Sequence, residues 1–258
     1  MDDTVASGHP SWADLATSDV VAAECFYREV FGWAVTSAET SMGDFYVGSV
    51  GDRDVAGMIA QPQEMAGAPS VWTSFFYVDD LDDTIDLISA AGGTVLQKPA
   101  ELPDGTRVGV VADPCGAMFA LISGRPQPGP YLSPIVGAIG WFELMTNDPQ
   151  TAEAFYGTVF GWTASTDDVG GTPYTVFSLD DTHVAGMIKT PANLPASDAP
   201  DTWSVYFNVG DCDATAKLTT ENGGQAILPP TDTPMGRFAV LADPQGAVFQ
   251  IMESAEVA

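Results

Sequence analysis

Two carboxylates stand at equivalent places in the two halves of the sequence: Asp14 and Glu143, each two residues after a tryptophan. A carboxylate held inside a protein has a raised pKa and can serve as a general acid or base, or it can accept a hydrogen bond from a ligand. The alternative is a structural acid that binds neighbouring strands or an arginine. We take Asp14 and Glu143 as the candidate catalytic residues, with both interpretations open.

The equivalence of these two acids comes from a tandem duplication. The stretch from Trp12 to Trp33 recurs 129 positions later, from Trp141 to Trp162. The same offset carries Val-Ala-Gly-Met from residues 55–58 to 184–187, and a second motif, Asp-Pro-x-Gly-Ala-x-Phe, closes each half at residues 113–119 and 243–249. A repeat of half the chain is too long for a solenoid unit of roughly 20–50 residues. The 258 residues therefore predict two similar domains.

The charge of the chain limits its partners. Thirty-five acidic residues oppose eight basic ones, which gives a formal net charge of −27. Phosphate backbones and anionic membranes are repelled by such a surface, so we expect neither nucleic acid nor a membrane as a partner. The expected partner is a small molecule.

Cysteine content and the N-terminus indicate a compartment. Three widely spaced cysteines do not predict a disulfide framework or a thiolate zinc site. The first residues lack a basic stretch followed by an apolar run, and no run of about 18 apolar residues occurs. We expect a cytoplasmic protein.

The candidate residues must be positioned by strands and short helices. Asp19 and Asp148 stand at helix N-cap positions, and Gly32 and Gly161 end the apolar helical patterns that follow. Alternating β-branched and aromatic stretches follow each helix, and the order repeats in every quarter. The sequence predicts an α+β protein of four βαβββ units, with one domain over residues 8–123, a Pro/Gly-rich linker over 124–136 and a second domain over 137–254.

Two signatures carry a family resemblance. Asp-x6-Phe-Tyr-x3-Phe-Gly-Trp opens both halves, and Asp-Pro-x-Gly-Ala-x-Phe closes them. The chain resembles the glyoxalase/bleomycin-resistance/extradiol-dioxygenase superfamily, also called vicinal oxygen chelate proteins, from about Pro10 to Met252. Within that superfamily, Trp-x-Glu-Leu-x-Thr-x-Asp is similar to two-domain actinobacterial proteins labelled hydroxylase or 27 kDa antigen. A shared fold does not by itself establish a shared function.

The resemblance implies two curved sheets, each of which forms a pocket on its concave side. Strand alternation then places Trp12 and Asp14, or Trp141 and Glu143, towards the pockets. The aromatic residues can stack a planar ligand and the polar ones can orient it, although aromatic residues in such positions also serve as core. The predicted ligand-binding residues on these faces are Trp12, Thr73, Tyr77, Trp141, Ser204, Tyr206, Asn208 and Gln250.

Two arginines complete the candidate ligand-binding set. Arg107 and Arg237 each lie six residues before a closing Asp-Pro. Each can clamp an anionic group in a pocket or pair with a carboxylate inside the fold, and we favour the structural pairing.

The resemblance also implies where a divalent metal would be held, by His and Glu of the first and last strands. Those positions hold non-chelating residues here, and the whole chain has two histidines. They are Trp12, Thr73, Ala120, Trp141, Ser204 and Gln250, with Gly57-Met58 and Gly186-Met187 near the remaining two. We therefore expect no metal and no other cofactor.

Four functions remain open. The first is a metal-independent module that binds a small, largely apolar or aromatic molecule. The second is a metal-independent isomerase, lyase or cyclase that uses Glu143 or Asp14 as acid and base. The third is a metal-dependent glyoxalase-like or dioxygenase-like enzyme, and the fourth is a structural or protein-partner role. Whether the protein is an enzyme stays open. The second pocket is more polar and is favoured as the active one, in a monomer or weak homodimer.

Overall fold

The computed structural model describes residues 6–40, 43–102, 104–124, 132–191 and 201–254. These residues form four βαβββ quarters, which confirms the predicted fold class. Residues 125–131 of the predicted linker lie outside the described ranges. No helix in the described part of the chain is long and apolar enough to cross a membrane.

The first half supplies two quarters. The first quarter contains β1 (Pro10–Thr17), α1 (Val20–Phe31), β2 (Ala34–Thr40), β3 (Gly43–Val50) and β4 (Arg53–Ala60). The second quarter contains β5 (Val71–Tyr77), α2 (Leu81–Ala90), β6 (Thr94–Glu101), β7 (Arg107–Ala112) and β8 (Met118–Ser123).

The second half repeats this order. The third quarter contains β9 (Ile139–Thr146), α3 (Pro149–Phe160), β10 (Thr163–Val169), β11 (Thr172–Leu179) and β12 (Thr182–Lys189). The fourth quarter contains β13 (Thr202–Asn208), α4 (Cys212–Glu221), β14 (Gln225–Thr233), β15 (Gly236–Ala242) and β16 (Val248–Ser254).

The helix ends confirm the predicted caps. The Asp19 carboxylate accepts a hydrogen bond from the Ala22 amide at the start of α1, and the Asp148 carboxylate accepts one from Thr151 in α3. Gly32 and Gly161 follow the two helices with φ of 72° and 73°, in the left-handed region that glycine adopts without strain.

Each half contributes one eight-stranded sheet. The strand orders are β2-β3-β4-β1-β5-β8-β7-β6 and β10-β11-β12-β9-β13-β16-β15-β14. In each quarter, the first strand runs parallel to the last strand, as β1 does to β4 and β9 does to β12. The three strands that follow each helix are antiparallel, as β10, β11 and β12 are.

The compact cores do not follow the two halves of the sequence. One unit, the outer unit, joins Trp12–Thr73 to Tyr131–Gly140 and Ser204–Ala258, and therefore contains the first and fourth quarters. The other, the inner unit, joins Met1–Ser11 to Ser74–Pro130 and Trp141–Trp203, and contains the second and third quarters. Helix α1 packs with α4 in the outer unit, and α2 packs with α3 in the inner unit.

A buried tyrosine connects the two quarters of the outer unit. The Tyr27 hydroxyl donates to Asp243 Oδ2 at 3.1 Å and accepts from Trp72 Nε1 at 3.1 Å. The Tyr27 ring also lies edge-on to Phe249, with centroids 5.8 Å apart. Trp33 Nε1 donates to the Gly137 carbonyl at 2.8 Å. The Phe-Tyr motif of the first quarter thus binds the Asp-Pro motif of the fourth.

The inner unit repeats this arrangement with the equivalent residues. The Tyr156 hydroxyl donates to Asp113 Oδ2 at 3.0 Å and accepts from Trp203 Nε1 at 2.8 Å. Trp162 Nε1 donates to the Gly8 carbonyl at 2.8 Å. Both repeated signatures therefore belong to the buried scaffold rather than to a ligand site.

Candidate functional site

The face of each sheet opposite the helices carries the candidate residues, and we call it the helix-free face. On β1, Ala13 and Leu15 are fully buried, so alternation places Trp12 and Asp14 on the other side. On β9, the fully buried Phe142 packs near Phe76. Trp141 and Glu143, both half-buried, consequently lie on the helix-free face of β9.

In the outer unit, Asp14 lies over a glycine of the neighbouring strand. Asp14 is in register with Gly57 of the parallel strand β4. A Cβ atom at Gly57 would overlap Asp14 Oδ1 and would stand 2.7 Å from Cζ of Phe45. Trp12 Nε1 donates to Asp14 Oδ1 at 2.7 Å. We call Trp12, Asp14, Phe45 and Gly57 the Asp14 site.

The pKa of the Asp14 carboxyl lies near neutral pH. Burial raises the pKa of the Asp14 carboxyl to about 7, and the hydrogen bond from Trp12 opposes this rise. Both protonation states are therefore populated near neutral pH. A carboxyl with this property can give or take a proton.

In the inner unit, a tyrosine stands between the equivalent tryptophan and carboxylate. Trp141 Nε1 donates to the Tyr174 Oη atom at 2.9 Å. Burial and the charge of Glu143 raise the pKa of Tyr174, and a hydrogen bond from its hydroxyl to Glu143 contributes to the rise. Glu143 is in register with Gly186. We call Trp141, Glu143, Tyr174 and Gly186 the Glu143 site.

The glycine of each site makes room for a polar side chain. A Cβ atom at Gly186 would overlap the Tyr174 hydroxyl and stand 2.7 Å from Trp141 Nε1. We predict that Gly186→Ala displaces Tyr174 and destabilises the chain by roughly 1–3 kcal/mol, since neither neighbour can yield without losing its hydrogen bond. Urea denaturation followed by circular dichroism measures the change.

Gly210→Ala is the matched control for this substitution. The nearest atom to a Cβ there is 3.9 Å away, an ordinary contact. If Gly186→Ala and Gly210→Ala unfold at the same urea concentration, then Gly186 does not provide the space that we assign to it.

The fourth quarter places two further candidates side by side. Tyr206 on β13 is in register with Gln250 on the parallel strand β16. Gln250 is 8% exposed, and its Oε1 atom has no hydrogen-bond partner among the described residues. Ser204 and Thr73 are half-buried on the helix-free faces of β13 and β5. The equivalent of Gln250 in the second quarter is Ala120, which is fully buried.

Two predicted ligand-binding residues, Asn208 and Tyr77, contact loop residues of the protein itself. The Asn208 Nδ2 group donates to the Ser133 carbonyl, and its amide fills the space above Gly140. Burial raises the pKa of Tyr77, as do the charge of Asp79 and a hydrogen bond to it. Asn208 therefore fastens the segment before β9, and Tyr77 contacts a residue beyond the end of its own strand.

Both arginines bind carboxylates of the nearby helices. Arg107 forms a two-pronged contact with Asp82 at the start of α2, at 2.9 and 3.0 Å. Arg237 binds Asp213 in α4 at 2.6 and 2.9 Å and Asp232 on β14 at 2.7 Å. These are contacts of structural partners, and neither guanidinium is paired with Asp14 or Glu143.

Sequence reasoning did not identify Phe45, Tyr174 or the role of the two glycines. The sequence does contain a signal for these residues. Tyr174 lies 129 positions after Phe45, so the two occupy the same place in the repeat and differ there in residue type. The structure places the Asp14 carboxylate over Gly57 and the Tyr174 hydroxyl over Gly186.

The residues at the superfamily's metal positions do not fit a divalent ion. Trp12 uses its indole N–H to bind Asp14, and the Asp14 carboxylate occupies the space over Gly57. No three His, Cys, Asp or Glu side chains in the described ranges are grouped so that they could hold a metal. A divalent site needs about three such ligands around one point.

Comparisons with known proteins agree with this fold. The model of the Glyoxalase/Bleomycin resistance protein/Dioxygenase superfamily matches residues 9–121 and 138–251. Putative glyoxylase CFP32 of Mycobacterium tuberculosis (strain CDC 1551 / Oshkosh) is 36% identical over 253 residues, 96% of this chain and 95% of that protein. Anthracycline biosynthesis protein DauV of Streptomyces sp. (strain C5) is 34% identical over 267 residues, 97% of this chain and 95% of that protein.

A solved structure shows the same architecture. The Mn(II)-bound glyoxalase from Novosphingobium aromaticivorans superimposes with a TM-score of 0.64 at 17% identity, over 97% of this chain and 83% of that chain. At this identity the likeness concerns the fold alone. The two matches of the family model and the relatives that span the chain establish that the protein belongs to the Glyoxalase/Bleomycin resistance protein/Dioxygenase superfamily.

Proposed function

We propose that the protein binds a small, largely apolar or aromatic molecule on the helix-free face without the help of a metal. The observation that carries this proposal is Gln250, a buried side chain whose amide oxygen has no partner among the described residues. A buried acceptor without a partner costs the folded state roughly 1–3 kcal/mol. A ligand that donates a hydrogen bond to Gln250 and packs on Tyr206 removes this cost.

The relatives support a hydroxylated aromatic ligand. The names of DauV and of DnrV from Streptomyces peucetius assign those two proteins to anthracycline biosynthesis. Anthracyclines are polycyclic aromatic compounds with hydroxyl groups, which are the donors that an amide oxygen accepts. We propose a ligand of the same chemical class for this chain.

Binding of model compounds tests the proposal. We expect a dihydroxyanthraquinone to raise the melting temperature of the purified protein and to bind in titration calorimetry. Gln250→Met removes the unpaired acceptor, so the ligand-free variant should melt a few degrees higher, while its affinity for the hydroxylated compound falls about tenfold. Unsubstituted anthraquinone should bind both forms equally.

Gln225→Met is the control, because Gln225 is exposed on β14. It should change neither the melting temperature nor the affinity. Equal affinities of the Gln250→Met variant and the unchanged protein for the hydroxylated compound would remove the support that Gln250 gives. About one tightly held metal per pocket after equilibrium dialysis and elemental analysis would contradict the metal-independent mode.

A second candidate function is acid–base catalysis, in an isomerase, lyase or cyclase. The observation that favours it is the position of Asp14, whose carboxylate lies over Gly57 with the Trp12 indole as donor; burial there raises its pKa to about 7. The carboxylate form takes a proton from one atom of the ligand, and the acid form returns a proton to another atom. With an identified substrate, Asp14→Asn should abolish turnover and leave binding intact, whereas unchanged turnover would exclude this role.

A further inference from the structure

The Asp14 and Glu143 sites differ by one hydroxyl group and one methylene group. Phe45 and Tyr174 occupy the same place in the repeat, beside Gly57 and Gly186. Where Phe45 ends in a carbon, the Asp14 carboxylate takes the indole hydrogen bond itself. Where Tyr174 adds an oxygen, this oxygen takes the indole hydrogen bond. The longer side chain of Glu143 then accepts from the Tyr174 hydroxyl.

The surroundings of Asp14 leave its protonation open. In the outer unit, β3 brings Phe45 and β4 brings Gly57 to the carboxylate, and neither residue ionises. Trp12, on the same strand, is the hydrogen-bond donor to Asp14 among the described residues. Indole N–H cannot accept a proton, so nothing in this group of residues competes with a ligand for the proton of Asp14.

The surroundings of Glu143 hold a proton in a fixed place. Burial and the neighbouring carboxylate raise the pKa of Tyr174, so its hydroxyl stays protonated. The hydroxyl accepts from Trp141 and donates to Glu143, and this uses its one proton. Glu143 is thereby paired with a donor of the protein itself.

We propose that the aromatic residue at this place in each half, Phe45 or Tyr174, decides whether the neighbouring carboxylate exchanges a proton with a bound molecule. Phe45 leaves Asp14 as the proton-transfer group of the chain, and Tyr174 makes Glu143 a fixed hydrogen-bond acceptor. Phe45 and Tyr174 are thus positioning residues. This assignment rests on the acid–base function proposed above. It favours the first half as the one that transfers a proton, whereas polarity alone favours the second half.

The titration of two indole groups tests the proposal without any ligand. In ¹⁵N-labelled protein, the indole N–H signals of Trp12 and Trp141 are assigned by the variants Trp12→Phe and Trp141→Phe. We expect the Trp12 signal to shift between pH 5 and 9 with a midpoint of about 7, because its partner changes charge. The Trp141 signal should stay constant, because its partner is a neutral hydroxyl. A constant Trp12 signal, or a Trp141 signal with its own midpoint in this range, overturns the proposal.

Exchanging the aromatic residues should exchange the behaviour. Phe45→Tyr gives Asp14 a second donor, which favours the charged form, so the Trp12 midpoint should fall by about one unit. Tyr174→Phe removes the hydroxyl between Trp141 and Glu143, and the Trp141 signal should then titrate. If both variants fold and their titration curves are unchanged, the aromatic residues do not have the role that we propose. If a variant does not fold, the titration curves of Trp12 and Trp141 in the unsubstituted protein test the proposal.

This experiment fails or succeeds independently of ligand binding. Absence of binding to any hydroxylated aromatic compound would refute the proposed function and leave the two titration curves as they are. Conversely, a Trp12 signal that does not titrate would refute the proton-transfer role of Asp14 and leave binding at Gln250 untouched.

Discussion

Neither half of the chain should fold as a monomer when it is produced alone. Tyr27 of the first half packs against Phe249 and binds Asp243, and Phe31 packs against Phe207. All three partners belong to the second half. Losing one large buried aromatic side chain costs about 3–5 kcal/mol, and a domain has a total stability of about 5–15 kcal/mol. The loss of several such contacts therefore exceeds the stability that a half could have.

The fragments 1–130 and 131–258 test this expectation. Each alone should show an unfolded NMR spectrum or sediment as a self-associated species, whereas the two produced together should co-purify in equal amounts as a folded complex. A well-dispersed spectrum from a monomeric fragment would show that one half contains a sufficient core of its own.

Asp113→Ala should be among the most damaging single substitutions. Asp113 accepts hydrogen bonds from the Cys115 and Ala117 amides, both at 2.9 Å, and from the Tyr156 hydroxyl at 3.0 Å. The side chain is 2% exposed, so water cannot replace it at these donors. We expect a loss of about 3–5 kcal/mol in the free energy of unfolding at pH 7, measured by urea denaturation.

Asp113→Asn separates the hydrogen bonds from the charge. Burial raises the pKa of Asp113, so the charged form is disfavoured in the folded chain. The contribution of Asp113 to stability is therefore largest at low pH, and it declines as pH rises through the folded-state pKa. An amide of the same shape keeps an acceptor for the two backbone amides and should cost less than half as much as alanine. Asp243→Ala, the equivalent change in the outer unit, should lower the free energy of unfolding as much as Asp113→Ala does. A decrease below about 1 kcal/mol in both variants would refute the structural role of these aspartates.

The architecture of each quarter was predictable because its signals are local. Asp19 and Gly32 mark the ends of α1 by capping chemistry, and alternation placed Asp14 and Glu143 on the face opposite the helices. Two of the outermost strands, β2 and β10, were harder to locate, because they are polar and largely exposed and show no alternation. Their presence followed only from the repeated order of elements.

The pairing of quarters could not be predicted from the same signals. Tyr27 would suit Asp113 as well as Asp243, because both aspartates belong to the same motif. The patterns show which face of a helix is apolar but not which quarter covers it. The pKa of Asp14 was equally out of reach, since it depends on how deeply the finished sheet buries the carboxylate.

The interleaved cores have a consequence for how this protein can evolve. Because each core combines a quarter from either half, recombination in the middle of the gene would separate Tyr27 from Asp243 and Tyr156 from Asp113 at once. The halves must therefore be inherited together. Their fusion also allows each copy to accumulate its own point substitutions, which an assembly of identical half-length subunits could not do, and the change between Phe45 and Tyr174 is a divergence of this kind.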